Sequence, residues 1–316
     1  MTTSATSWHA TYSIVARDDE TGQMGVAVQT HQLGVGRIVS WMLPGVGAIA
    51  TQSFVNISYG PIGIAMLHEG INAEAVIQGL VATDALASRR QIGVVDTRGN
   101  AAAYTGENCI REAGHYIGRG YSVQANMMTR NTVIDAMRDA YESSTDSLPM
   151  RMIAALQAAQ IEDGDIRGMQ SASLKIVSGN VTHNIWESAY DLRVDEHEQP
   201  VIELTRLVRI RQAQLIDQEG HALLDIEPRE ALAKWKQARE LAPDQEELAF
   251  WQGVTLANNK IVPQSISIAG RIIAQALDDH PRRDHWLDLI QRLEDCGIIE
   301  REGTAAELLA AITAES

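Results

Sequence analysis

Residues 11–30, "TYSIVARDDETGQMGVAVQT", read as two short strands joined by a turn. Asp19, Glu20, Thr21 and Gly22 separate two alternating apolar runs, which is the sequence signal of a hairpin. The hairpin opens on Thr11. A Thr in that place is either the first β-branched residue of an edge strand or a nucleophile whose amino group is blocked by the residues ahead of it, "MTTSATSWHA". Ser13, two positions on, shares its face of the strand.

Outward from the hairpin, strand and turn continue to about residue 60 through "LGVGRIVSW" and "PGVGAIATQ". Two helices are expected next: "PIGIAMLHEG", from Pro61 to a stop at Gly70, and "NAEAVIQGLVATD", with Asn72 as N-cap and Glu74 in its first turn. "RQIGVVDTRGNAAAYTG" and "GHYIGRGYSVQANMM" return to strand. "TVIDAMRDAYESS" and "SLPMRMIAALQAAQIEDG" have apolar residues at helical spacing, and the second ends at Gly164. "SASLKIVSG" is expected to be the last strand. Blocks of strands alternating with helical pairs predict antiparallel sheets with helices packed on them, an α+β fold, and not a doubly wound sheet.

From about residue 200 the composition shifts to helix formers, predicting a small all-α module. Ala231, Trp235, Ala238 and Pro243 fall at the spacing A-x3-aromatic-x2-A-x4-P, followed by Gly253. That pattern resembles the second helix of a tetratricopeptide repeat running into the next; a small helical bundle is the other reading. The expected division is a leader at 1–10, one domain at 11–205 and a helical domain at 206–316, whose helices offer a surface for a protein partner.

The formal charge of −15 gives no electrostatic footprint for phosphate backbones or anionic lipid, so neither nucleic acid nor membrane is an expected partner. The two cysteines, Cys109 and Cys296, have neither disulfide-framework nor zinc-ligand spacing. A reducing cytoplasm fits, and the N-terminus lacks the features of a signal peptide. No run of residues has the length of a membrane span. No HExxH, G-x-S-x-G, P-loop or complete G-x-G-x-x-G is present, and no metal or cofactor is expected. Sheets of this kind leave edges, so a homo-oligomer is the expected state.

Chemistry is suggested by polar residues inside apolar strands: Thr30 and His31, Thr51 and Gln52, Gln124 and Asn126. Each alone is a group that burial obliges to hydrogen-bond. Gathered at strand ends, they predict a polar cleft for a small-molecule substrate or ligand. Asn56 and Tyr59 enter a helix whose N-terminal amides suit an anion. Asp165, Arg167 and Gln170 crowd the loop before "SASLKIVSG" and join the candidate lining. Asp195 and His197, near Arg193, read as surface contacts in preference to ligands shared with Asp165 and Arg167. His115 reads as a satisfied strand histidine.

Five blocks, "TYSIVARDDETGQMGVAVQT", "GVGAIATQSFVNISYGPIGIAML", "QIGVVDTRGNAAAYTGENCIREAGHYIGRGYSVQANMM", "GDIRGMQSASLKIV" and "YDLRVDEHEQPVIELTRL", span about Thr11 to Leu207 in order. Together they resemble the bacterial family catalogued as domain of unknown function 1028, which is grouped by fold with the N-terminal nucleophile hydrolases. The resemblance implies a four-layer α-β-β-α sandwich. It also implies a catalytic role for Thr11. In such enzymes the Thr, Ser or Cys that begins the first strand attacks an amide carbonyl, and its own free α-amine, with a pKa near ~8, accepts the proton.

That role requires scission between Ala10 and Thr11, by Thr11 itself or by another protease. The expected activity is hydrolysis of an amide or other C–N bond in a small polar metabolite, with Ser13 and His31 beside Thr11. The alternative is a cleft that binds a small ligand without turnover, with the helices recruiting a protein. His31 stands where the family usually has a basic residue, so a charge there depends on pH. Glu112 and Ala125 stand where the family commonly has Trp and Gly.

Overall fold

The structure is a computed structural model and describes residues 8–182, 184 and 186–315. Most of the expected leader, residues 1–7, lies outside the described residues.

Strand β1 (Trp8–His9) is separated from β2 (Thr11–Arg17) by Ala10 alone, yet the two belong to different sheets. β2 and β3 (Met24–Thr30) form the expected hairpin, with Thr11 opposite Thr30 and Arg17 opposite Met24. Its turn is tied by Asp18, whose carboxylate accepts the N–H groups of Glu20 and Thr21 at 3.1 and 2.8 Å. Burial resists ionisation of Asp18, but those bonds, the Thr21 hydroxyl and the Arg151 charge outweigh it and hold the carboxyl below its usual range.

"LGVGRIVSW" is a strand only in part. Residues Val35–Arg37 form a 3-10 turn, and β4 starts at Ser40 (Ser40–Leu43). Gly34 adopts a left-handed φ of 66°, and a Cβ on Gly36 would lie 2.7 Å from the Ser173 Cβ, so the chain passes too close to its neighbour for an ordinary strand. β5 (Gly47–Phe54) leads to α1 (Tyr59–His68) and α2 (Ala73–Val81). Pro61 sits inside the first turn of α1, where no N–H is required, so the helix begins at Tyr59 and not at Pro61. Asn72 caps α2, accepting the Ala75 N–H at 2.9 Å.

β6 (Arg90–Asp96), β7 (Ala101–Thr105), β8 (Gly114–Gly118) and β9 (Tyr121–Asn126) follow, then α3 (Val133–Ser143), α4 (Leu148–Ile161) and β10 (Ser171–Val177). β10 is not the last strand. β11 (Tyr190–Val194) pairs with it at the sheet edge, and because three of its five residues are at least partly exposed it carries little apolar signal.

The first sheet has the order β1-β5-β6-β7, with β4 also on β5; the second runs β11-β10-β3-β2-β9-β8, and every pairing in both is antiparallel. Val15, Val26 and Val28 of the second sheet pack on Ala48, Ala50 and Val95 of the first. The other face of the first sheet, with Ile49, Ile92 and Val94, is covered by Leu67 of α1 and by Val76 and Leu80 of α2. Tyr12 points the other way from Thr11 and Ser13, and its hydroxyl reaches Gln160 of α4 at 3.0 Å. Each buried Val, Ile or Leu side chain of these layers contributes about 1.5–3 kcal/mol. Strand alternation therefore sends odd-numbered residues of β2 between the sheets.

The chain divides into two compact units, Met1–Val208 and Arg209–Ser316, within α5 (Pro200–Leu223). The second unit continues with α6 (Pro228–Leu241), α7 (Glu246–Asn258), α8 (Ser265–Ala276), α9 (Arg283–Asp295) and α10 (Thr304–Glu315). Ala231, Trp235 and Ala238 are its fully buried residues on α6, and Trp235 Nε1 donates to the Asp217 carbonyl at 3.1 Å. The indole fills a place that only a glycine leaves open, since a Cβ on Gly220 would lie 2.3 Å from it. No helix among the described residues is long and apolar enough to cross a membrane.

Candidate functional site

Between the sheets, at the end where β2 begins, the apolar packing gives way to amides and hydroxyls. Thr11 and Ser13 of β2, Thr30 of β3, Gln124 and Asn126 of β9, Gln52 of β5 and Gln91 of β6 are each at most 1% exposed. Ser13 Oγ donates to Gln52 Oε1 and accepts from Gln124 Nε2, both at 2.6 Å. Gln52 Nε2 donates to Gln91 Oε1 at 2.8 Å and to the Thr11 carbonyl at 3.2 Å. Asn126 Nδ2 donates to the same Gln91 oxygen at 2.9 Å. Gln91 Nε2 in turn faces Thr105 Oγ1, the Gly114 carbonyl and the Ala125 carbonyl at 2.8–3.0 Å.

Gln52, Gln91 and Asn126 turn their amide nitrogens toward backbone carbonyls, which accept only, and this fixes their orientation. One acceptor is left over. Asn126 Oδ1 is buried beside Thr11 and has no hydrogen-bond partner among the described residues. Room for Gln124 comes from Gly93, where a Cβ would lie 2.3 Å from Gln124 Oε1.

The peptide bond between Ala10 and Thr11 is itself part of the site. The Ala10 carbonyl accepts from Thr30 Oγ1 and, at 3.2 Å, from Arg167 Nη2. Thr11 Oγ1 lies 3.5 Å from Thr30 Oγ1. Arg167 is held by the buried Asp165, whose Oδ1 accepts Arg167 Nε at 3.1 Å and whose Oδ2 accepts Nη2 at 2.9 Å. Asp165 Oδ2 also takes the His31 N–H at 2.9 Å, so the loop before β10 is bolted to the end of β3. A buried carboxylate gripping an arginine fork both neutralises it and aims it. Here the aim is a backbone carbonyl.

The sequence-predicted residues divide into two groups. Thr11, Ser13, Thr30, Gln52, Gln124, Asn126, Asp165 and Arg167 come together around the Ala10–Thr11 bond. His31 stays at the surface, its Nδ1 3.1 Å from the Met169 carbonyl. Gln170 is engaged through its backbone, donating to the Thr30 carbonyl at 3.2 Å and accepting from the His197 N–H at 2.9 Å.

Thr51, Asn56 and Tyr59 leave the cleft. Alternation along β5 turns Thr51 to the side that carries Ile49 and the α1 helix, where its hydroxyl meets the Asn56 carbonyl at 3.3 Å. Asn56 Oδ1 accepts the Ser58 N–H at 3.2 Å, forming a local turn. Tyr59 gives its hydroxyl to Asp84 at 2.6 Å, and burial together with that carboxylate pushes the phenol above its usual range. Asp195 pairs with Arg193 at 2.8 Å, and His197 Nδ1 accepts the Gln199 N–H at 2.9 Å, so both serve local contacts.

Gln91 was missed, although it carries the same signal as Gln52 and Gln124, an amide in the apolar run "RQIGVVD". The Ala10 carbonyl has no side-chain signature and is legible only in three dimensions. A cavity of about 570 Å³ adjoins the network at Thr105, Gly114 and His115; Glu107, Arg111, Glu112 and Arg130 also line it. Its wall includes Cys109, whose thiol burial pushes up. His115 Nδ1 lies 2.8 Å from Thr105 Oγ1 at that wall. Among the described residues no group of three or more His, Cys, Asp or Glu is placed to hold a metal ion.

The chain is similar to protein SPO2555 from Silicibacter pomeroyi, known from a crystal structure, with 29% identity and a TM-score of 0.57 over 63% of this chain and 88% of that one. No curated protein matches it. The model of the family of unknown function DUF1028 matches residues 11–204, starting at the residue whose preceding carbonyl Arg167 and Thr30 hold. A match over more than half of its length makes this chain a member of that family.

Proposed function

We propose that the first unit is a self-processing hydrolase of the N-terminal nucleophile type, acting on an amide or other C–N bond in a small polar substrate. The observation that carries the reading is the double hydrogen bond to the Ala10 carbonyl. A cation and a hydroxyl converge on the oxygen where negative charge develops when Thr11 Oγ1 attacks the Ala10 carbonyl carbon. The order helices, sheet, sheet, helices supports assigning the four-layer sandwich of that enzyme class. Fold alone would be an analogy; the polarised carbonyl adds chemistry.

In self-processing, a C–O bond forms from Thr11 Oγ1 to the Ala10 carbonyl carbon and the C–N bond to Thr11 breaks, the hydroxyl proton passing to the nitrogen. Water then hydrolyses the ester, leaving the Ala10 carboxylate and Thr11 with a free amine and hydroxyl. In turnover the same hydroxyl attacks the substrate carbonyl. The freed amine accepts the proton and passes it to the leaving nitrogen, and water releases the acyl group. Asn126 Oδ1, buried and unclaimed beside Thr11, is the acceptor such an amine needs. Ser13, locked between Gln52 and Gln124, serves to position β2. In the second unit, the buried Ala231, Trp235 and Ala238 favour a tetratricopeptide-like helix pair that binds protein.

Intact mass and N-terminal sequencing of the purified chain test the processing step. A species beginning at Thr11 is expected, and Thr11→Ala should abolish it with the fold retained. A chain that keeps its first ten residues indefinitely, indistinguishable from Thr11→Ala, would refute the reading.

A further inference from the structure

The described end of the leader does more than precede the nucleophile. Trp8 pairs with Phe54 and His9 with Ser53, so the leader adds an antiparallel strand to β5. β4 covers that edge of β5 only from Gly47 to Ala50, and β6 occupies the opposite edge as far as Ser53. The edge at Ser53 and Phe54 is thus filled by the leader. Next along the chain, Ala10 is completely buried and its carbonyl is held by Arg167 and Thr30. An extended strand, a small enclosed residue and a gripped carbonyl are the three elements of an acyl-side peptide subsite.

Resting on the self-processing reading, and replacing its small polar substrate with a peptide, we infer that this subsite selects the substrate class: an extended acyl-peptide that completes the β5 edge and ends in a small residue at the carbonyl under attack. Unpaired strand edges with buried backbone groups demand a partner, and strand addition supplies it through main-chain hydrogen bonds. Once the leader departs, the positions opposite Ser53 and Phe54 and the slot at Ala10 are vacated, while Arg90 still donates to the Phe54 carbonyl. The slot that encloses the Ala10 methyl sets the size limit, because a larger side chain there meets a filled interior. The leader is accordingly the first ligand of the site, and its released form, ending in the Ala10 carboxylate, faces the Arg167 guanidinium as a product inhibitor.

The test uses a chain whose first residue is Thr11, made by cutting off an N-terminal fusion. The family match begins at that residue, and the strand removed contributes two residue pairs at a sheet edge, so the chain from Thr11 retains the fold. Calorimetry is run with three decapeptides: the native residues 1–10, the same peptide N-methylated at residues 8 and 9, and a variant carrying Ala10→Phe. The native peptide should bind, and each of the others should bind about tenfold more weakly or worse, through lost ladder bonds or lost fit. Equal binding of the native peptide and either altered one, or no binding by the native peptide, overturns the subsite. Failure of self-processing is read separately, from the mass of the full chain. Peptide binding beside an uncut full chain would leave the subsite standing and remove the catalytic reading.

Discussion

Arg167 Nη2 lies 3.2 Å from the carbonyl oxygen of Ala10, a backbone group 157 positions earlier in the chain. The guanidinium is immobilised there by Asp165, so it acts on the Ala10–Thr11 bond as a fixed charge and not as a wandering surface arginine. Replacing Arg167 with Met should slow scission at that bond by roughly 10²–10³, the usual cost of losing one oxyanion donor. Mass spectra taken over time after a rapid purification give the rate. If Arg167→Met is cut as fast as the wild type, the guanidinium has no part in the step.

Gln91 ties both sheets together, and its loss leaves Asn126 Nδ2 with only the Thr11 carbonyl as acceptor and takes a side-chain donor from the Gly114 and Ala125 carbonyls. Gln91→Leu should destabilise the first unit by about 1–3 kcal/mol, the cost of one buried donor left short of an acceptor. Urea unfolding followed by circular dichroism checks this, and a loss below about 1 kcal/mol would mean the network is dispensable.

Much of this could be read from residues alone, and the part that could not has a physical cause. The 11–30 hairpin, the Asn72 cap and the polar inserts at Gln52, Gln124 and Asn126 are local signals, and each stands where the pattern places it. Thr51 fails because one step along a strand reverses the face, and the sequence does not say which face of β5 meets the other sheet. Tyr59 fails because its hydroxyl answers to Asp84, a partner set by packing. β11 escapes notice as a half-exposed edge. The place of Arg167 rests on a contact between a side chain and a distant main-chain oxygen, which no one-dimensional pattern encodes.

Gly93→Ala tests the spacing between the sheets. The new methyl would sit 2.3 Å from Gln124 Oε1 and must displace the amide that holds Ser13. A cost of about 1–3 kcal/mol is expected, together with slower scission. Wild-type stability would show that Gln124 has an alternative seat.

Asp84 offers a pH signature. Burial resists its ionisation, but hydrogen bonds from Arg90, Tyr59 and the Leu86 N–H, with the Arg90 charge, hold its carboxyl down to about 2. Since the folded value lies below the unfolded one, the pair stabilises the fold fully above about pH 4 and loses that contribution as pH falls toward 2, about 2 kcal/mol in all. The stability gap between wild type and Asp84→Asn should therefore shrink from pH 7 to pH 2.5. A gap that stays constant across that range would contradict the linkage.

Trp235→Ala should unfold the helical unit preferentially, at a cost of about 3–5 kcal/mol. The indole is fully buried, and its removal also frees the Asp217 carbonyl. Hydrogen exchange resolved by segment is the measurement. Faster exchange confined to residues after Val208 is expected, and uniform loosening of both units would count against their independence.

Ala10 is a single residue spanning the gap between two sheets, with β1 on one and β2 on the other. It is a covalent staple at the mouth of the interface, and the chain cannot part there without tearing its own backbone. Cutting that one bond, as the self-processing reading requires, would turn the staple into two loose ends and leave the mouth to the side chains of Ser13, Gln52, Gln91 and Asn126, groups that can exchange partners with whatever enters.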